Sequence, residues 1–476
     1  MPSTLDIGKI TNQPGYILLQ GLLCTQTNAA LLELQRITSV SLEQAALYVS
    51  TSGFGMMLGC MLCGAVYNYI DKFLAQFVTM VITAVVLVII PWCTNYFVMA
   101  TAQGTLGTLL GFLDTVVMAE VLAVWGTEGR SFVQAVNLGF AIGGVIAPIM
   151  VAQFVPKSDK DALEEHKTNE NYSAIETNIS LFSEIVDWNV ENIENHHRSL
   201  DFTIKRQSTD SASHIYIAYV ISASICVTIG MLFFVMFLFF SRNIYADRSK
   251  PEAKHSTGGS RCWKVAILAN IGIMYAVYIS LADTLGSFVI AFCVKQLHWT
   301  MQKSSLLLSL ADGCFCVGLT LSIFWVRYVR PKVILGIFCP LISIMFFVMT
   351  CSGFTHADYG MWISSAVLGF LMSVILPTIF SWTEEEYFPV TGKIASVFNV
   401  LASICVTVTP VITGVLMDRY SPMCFTYILL IMTWVLMVLY MAAVMLAPRT
   451  NSQSFEYSKL ATNGDIEMEI FSEHNS

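Results

Sequence analysis

Twelve long stretches, nearly empty of charge, follow one another along this chain, and nothing constrains its fold more. A helix needs about 20 consecutive apolar residues to cross a bilayer. Spans of that kind are read near 10–34, 44–69, 73–93, 95–125, 131–155 and 214–240, then near 264–293, 300–326, 331–351, 357–382, 392–417 and 422–446. Only 12% of the 476 residues are charged, about half the share of a soluble domain. Most of the chain therefore never meets water. The expected fold is an all-α integral membrane protein of twelve transmembrane helices in two six-helix bundles. Residues 1–155 carry helices one to five, 156–213 form a large loop, 214–240 form helix six, 241–263 a hinge, 264–446 the second half and 447–476 a tail.

Two cues orient it. The hinge holds Arg242, Arg248, Lys250, Lys254, Arg261 and Lys264, and the loop after span eight adds Arg327, Arg330 and Lys332. Short basic loops stay cytoplasmic. Segment 156–213 carries two N-x-S/T sequons, at Asn171 and Asn178, the mark of a glycosylated extracellular loop. Both cues leave the two termini cytoplasmic. The stretch MPSTLDIGKITNQPGY lacks the basic and apolar pattern of a cleavable signal. Tyr457-Ser-Lys-Leu460 has the spacing of a tyrosine-based sorting signal; the plasma membrane is the expected residence, with an endolysosomal membrane as the alternative.

The net charge of −8 sits in loops and tail and is no clue to nucleic acid. The thirteen cysteines fall mostly inside apolar runs, and Cys60-Met-Leu-Cys63 has no second pair or nearby histidine, so no metal site is expected. Walker A, H-E-x-x-H and G-x-S-x-G motifs are missing, and the chain reads as no enzyme and as needing no cofactor.

Span four, GFLDTVVMAEVLAVWG in part, carries Asp114 and Glu120. At 1.5 Å per residue Asp114 falls roughly 4–5 Å past the midplane and Glu120 about 13 Å past it, near water and rotated by about 120°. Asp312 lies near the midplane of span eight, and Asp283 toward the outside in span seven. No lysine or arginine sits in the middle of a span. Each acid must then be protonated, face a watery cavity or bind a cation. Gln20, Gln26, Asn28, Gln103, Asn137, Asn270, Tyr275, Tyr278 and Asn399 offer polar groups to such a cavity or glue between helices. Gly104, Gly107 and Gly111 share one face of span four, and Gly139, Gly143, Gly144 and Pro148 punctuate span five. Small residues let helices approach closely, and flexible helices suit rocking halves.

The sequences GTLLGFLDTVVMAEVLAVWG and VNLGFAIGGVIAPIM, with the anchors Leu113-Asp114-Thr115 and Trp125-Gly126, resemble spans four and five of a major facilitator branch. That branch holds the sodium-dependent glucose transporter and the domain-containing proteins numbered 4, and is similar in turn to bacterial fucose permeases. The likeness runs from about residue 16 to 446. It implies the major facilitator fold, with spans one, four, seven and ten lining a pathway and Asp114 contacting the solute. A second coupling carboxylate of the family falls on Asn28, which carries no proton. Glucose-transporting relatives read L-D-T-G-G-N where this chain has Val116, Val117 and Met118, and Leu319 replaces an expected arginine. The loop signature survives as Gly64-Ala-Val-Tyr-Asn68 with Asp71 and Lys72, and Gly414-x-x-x-Asp418-Arg419 repeats the pattern at the other face.

The reading is a secondary transporter, by alternating access, of a small sugar-like solute coupled to sodium or a proton. Its candidate site residues are Asp114, Asn28, Gln26, Asn137, Tyr278, Asp283 and Asp312. The alternative is a non-transporting relative, a solute sensor or membrane scaffold.

Overall fold

The computed structural model describes residues 13–66, 69–125, 129–155, 214–240, 261–387 and 392–446. The expected loop 156–213 with Asn171 and Asn178, most of the hinge and the tail lie outside the described residues, as do the side chains of Met118 and Glu120.

Every described element is helical. The first span is two helices, α1 (Gln13–Ala29) and α2 (Leu31–Thr38), interrupted at Ala30. There follow α3 (Leu42–Val66), α4 (Lys72–Ile89) with a 3-10 turn at Ile90–Trp92, α5 (Tyr96–Trp125), α6 (Gly129–Phe154) and α7 (Ile215–Phe240). The second set is α8 (Arg261–Gln296), α9 (Met301–Tyr328), α10 (Pro331–Thr355), α11 (Asp358–Glu386), α12 (Gly392–Arg419) and α13 (Cys424–Leu446).

Eleven of these helices are long and apolar enough to cross a membrane. The first span is the exception. Its α1 has 17 residues, and Gln20, Thr25, Gln26, Thr27 and Asn28 dilute its apolarity. It is nonetheless deep in the bundle: Leu19, Leu23, Ala29, Ala30, Leu31 and Leu34 are all buried. A helix enclosed by protein has no need of a lipid-facing surface, and this is why its sequence is the most polar.

Local chemistry sets the ends. Ser41 and Gln44 form a capping box at the start of α3, with Gln44 N donating to Ser41 Oγ at 3.2 Å and Ser41 N to Gln44 Oε1 at 3.3 Å. Asp71, read from the sequence as part of a loop signature, caps α4 by accepting from Phe73 N and Leu74 N at 3.1 and 3.2 Å. Inside the spans, hydroxyls turn back to the carbonyl four residues earlier, as Thr115 does to Gly111 at 2.9 Å and Thr284 to Ser280 at 2.7 Å. That bond is how a threonine survives in a medium without water.

One pairing rule is used twice. In the first six spans α3 packs on α5, α1 on α6 and α4 on α7; in the second six the equivalent pairs are α9 on α11, α8 on α12 and α10 on α13. The two sets meet through α3 with α12 and α6 with α9, again an equivalent pair. Glycines make the closest seams. A Cβ on Gly55, Gly59, Gly107 or Gly111 would run into the backbone of the facing helix, at Gly104, Thr108, Ser52 and Met56 respectively. Gly21 and Gly143 do the same between α1 and α6, and Gly369 between α11 and α9. The span-four glycines are thus packing surfaces, with backbones in direct contact.

At the end of the bundle that carries the α2–α3 turn, the two sets are tied by charge. Arg419 donates from Nε and Nη2 to the two carboxylate oxygens of Glu43, each at 2.7 Å; within the second set, Lys295 of α8 lies 3.5 Å from Asp418 of α12. Below this fork Gly414 sits against Ala46, and Gly53 against Val406 and Thr407. The Gly414…Asp418-Arg419 pattern therefore works in these ties between helices.

Candidate functional site

The interior is organised around α1. Gln20 on α1, buried at 5% exposure, donates Nε2 to Asp114 Oδ1 at 3.1 Å. Asp114 itself keeps part of its surface accessible. It is thus an enclosed carboxylate with one oxygen held by a neutral donor. Its charge reaches Tyr16 and Cys24, one turn to either side of Gln20 on α1, Cys60 on α3, and Tyr275 on α8 of the second set. No described lysine, arginine or histidine forms an ion pair with it.

Within electrostatic range of Asp114, on the second set, is an aromatic group. The Tyr275 ring stacks on Phe398 at 5.7 Å and meets Phe380 edge-on at 5.4 Å. Its hydroxyl donates to Asn399 Oδ1 at 2.9 Å, which fixes the ring between α8, α11 and α12. A carboxylate on one side and ring faces with a fixed phenol and amide on the other is chemistry that suits a hydroxylated solute: hydrogen bonds to hydroxyls and stacking on C–H faces.

The other acids occupy separate places along α1. Asp312 on α9 leans over Gly144 of α6, where a Cβ would lie 3.2 Å from its Oδ2 and 3.4 Å from Thr25 Oγ1. Gly144 is therefore the gap through which a carboxylate of the second set reaches α1. Asp283 on α8 lies within electrostatic range of Cys24, and its Oδ2 is sealed from solvent without a hydrogen-bond partner. Asn28 presents its amide to Gly286 of α8, 3.7 Å from where a Cβ would be.

The remaining candidates divide. Gln26 accepts from Ser222 Oγ of α7 at 2.5 Å, and its Nε2 has no partner. Asn137 is half-buried on α6. Tyr278 is buried, and its hydroxyl is committed to the Met372 carbonyl at 2.5 Å. Asn270 likewise spends its amide on the Leu439 carbonyl at 3.2 Å. Gln103 is fully buried with both amide atoms unpartnered. Sequence reasoning passed over Ser287, the role of Gly144 beside Asp312, and buried Glu33, which pairs with Arg36 at 2.9 Å. Glu33 had a signal, an acid three residues before an arginine on a helix.

No protein-family model matches the chain. Among curated proteins, it is 23% identical over 376 residues to the sodium-dependent glucose transporter 1A of Mus musculus, covering 77% of this chain and 79% of that one. It is 24% identical over 368 residues to the sodium-dependent glucose transporter 1 of Homo sapiens, covering 77% and 65%. Major facilitator superfamily domain-containing protein 4A of Xenopus tropicalis is 20% identical over 404 residues, 77% of each chain. Among solved structures, the fucose:proton symporter of E. coli superposes with a TM-score of 0.54 at 15% identity, over 91% of this chain and 97% of that one. A nucleoside transporter gives 0.57 at 14%, over 93% and 100%.

The fold is that of the major facilitator superfamily. The repeated pairing of α3–α5 with α9–α11 is the internal repeat that such folds are built on. The two glucose transporters among these relatives and the two structural neighbours are named as transporters or symporters.

Proposed function

We propose that the chain is a secondary transporter that moves a small sugar-like solute by alternating access, coupled to sodium or a proton. The observation that carries this reading is Asp114: an enclosed, partly accessible carboxylate, held by Gln20 and within electrostatic range of Tyr275 in the other set of helices. A solute bridging them would contact both halves at once, so that its binding could favour one arrangement of the halves over another. Asn28, Gln26, Asn137 and Asp312 lie on elements that meet around α1 and complete the proposed site, while Tyr278 holds α8 to α11.

With both termini cytoplasmic, the α2–α3 turn and the Glu43–Arg419 fork lie outside, and the loop with Asn171 and Asn178 is the glycosylated extracellular one. That fork then ties the two sets at the outer face. The plasma membrane is the proposed residence. The relatives' names support the sugar-like class and the cation.

Uptake of labelled sugars and polyols by cells or proteoliposomes tests the proposal. Flux that needs Asp114 supports it, and no flux from folded protein at any sodium concentration or pH overturns it. One observation favours the non-transporting reading. Val116 and Val117 are buried at 1% and 2%, filling with apolar packing the positions where glucose-carrying relatives keep glycines. Solute binding without flux is the signature of that reading.

A further inference from the structure

Of the three central acids, Asp283 is the one with a carboxylate oxygen both sealed from solvent and without a hydrogen-bond partner. Asp114 is held by Gln20, and Asp312 lies beside Thr25 and Gly144. Asp283 is half-buried, with its Oδ2 sealed in the interior and no donor to it. An isolated ionised carboxylate in such a place is too costly to persist without a counter-charge.

The second observation lies one turn further along α8. Ser287 is 1% exposed, and its hydroxyl oxygen has no hydrogen-bond partner. Most span hydroxyls bond a carbonyl three or four residues back, as Thr284 does at 2.7 Å and Ser304 at 2.9 Å. Ser287 shares its unpartnered oxygen with Ser305, Ser309 and Ser365, but among these described serines it alone stands one turn from a sealed carboxylate oxygen that also has no partner. Ser287 does not bond the Asp283 carbonyl, which leaves its oxygen free for something else. Residues four apart on a helix have Cβ atoms about 5–6 Å apart on one face. A hard cation with oxygen ligands at about 2.0–2.6 Å spans that gap. Between them in sequence, Gly286 presents no side chain, and the Asn28 amide stands 3.7 Å from where its Cβ would be. Either end of that amide can face the gap.

We infer that Asp283 and Ser287, with the Asn28 amide beside them, form a sodium site in the second half, separate from the solute carboxylate Asp114. A single carboxylate with neutral oxygens suits a monovalent cation, and no cluster of three or more acids, histidines or cysteines occurs among the described residues to favour a divalent one. Cys24, on α1 between the two acids, lies within electrostatic range of both Asp114 and Asp283. The site thus touches the helix that also carries Gln20. Sodium bound there would steady α8 against α1 while solute is held at Asp114.

The inference rests on the transport reading only for sodium's role in coupling, and its test uses sodium alone. Purified full-length protein in detergent is heated in sodium chloride at rising concentration, balanced with choline chloride. A ligand bound by the folded state raises the unfolding temperature saturably. The wild type is expected to show that rise. Asp283→Asn is expected to abolish it, and Ser287→Ala to raise the half-saturating sodium concentration roughly 10–100-fold, the range for losing a supporting partner of a metal site. Asp114→Asn and Asp312→Asn are expected to keep the sodium response. Should Asp283→Asn not fold, Ser287→Ala and Asp283→Glu decide. An unchanged sodium response in Ser287→Ala or Asp283→Asn overturns the site, as does its loss in Asp312→Asn alone. No sodium response in the wild type also overturns it, and solute uptake then judges the transport reading by itself.

Discussion

Gly107→Ala tests how α5, and with it Asp114, is seated. The added Cβ would overlap the Ser52 carbonyl oxygen and lie 2.8 Å from the carbonyl carbon and 2.9 Å from Cα, where ordinary contact begins at 3.4 Å. All three atoms are backbone, so no rotamer change relieves them. The carbonyl carbon alone requires the helices to part by 3.4 less 2.8, or 0.6 Å, and the overlapping oxygen requires more. Overpacking of this kind costs about 1–3 kcal/mol, and a backbone obstacle belongs at the upper end. Alanine returns about 1 kcal/mol of helix propensity. The expected net is about 2 kcal/mol of destabilisation. Gly64, on the facing helix α3, has nothing within 4 Å of its would-be Cβ, so Gly64→Ala keeps only the propensity gain, up to about 1 kcal/mol. Thermal unfolding of the detergent-solubilised variants should therefore move in opposite directions, down for Gly107→Ala and up for Gly64→Ala. Because Asp114 lies two turns beyond Gly107, solute affinity should fall in the first variant alone. A Gly107→Ala protein as stable as the wild type would refute the close-seam reasoning.

Other expectations concern single contacts. Gln20→Ala removes an amide-to-carboxylate hydrogen bond of about 1.5–3 kcal/mol; it should lower thermal stability and solute affinity together, measured by unfolding and by competition binding. Tyr278→Phe should cost about 1 kcal/mol of stability by stranding the Met372 carbonyl, with the KM for solute uptake unchanged, because the hydroxyl is spent between helices. Glu43→Arg or Arg419→Glu alone should open the outer seam and raise labelling of Cys24 by an impermeant thiol reagent. The double exchange should bring labelling back down, and equal labelling in all four proteins would remove the fork from gating.

What the sequence made legible follows from what apolar runs encode. A run such as Ile215–Phe240 has one stable solution in lipid, so its existence and length are plain. The interruption at Ala30 is not, because Ala29-Ala30-Leu31-Leu32 reads as continuous helix and the change lies in one backbone torsion, ψ −5°. Glycine spacing marked α5 as a close-packing face, yet nothing local says that its partner is α3 rather than α6. The site depends on contacts across the chain. Gln20 and Asp114 are 94 residues apart, and Glu43 and Arg419 are 376 apart. Asp114, Asp283 and Asp312 stood out because charge is rare in these spans, but their different surroundings come from packing. The hydroxyl of Ser287 could not be distinguished in sequence from serines that bond their own helix.

The central claim is movement of solute through the protein, and solute counterflow in proteoliposomes tests it most directly. Vesicles holding purified protein are loaded with an unlabelled sugar or polyol, diluted, and given a trace of the same solute with label. The account predicts a transient overshoot of internal label for at least one such solute, lost in Asp114→Asn. Saturable binding of a solute with no overshoot would contradict transport and leave a sensor with a transporter's fold.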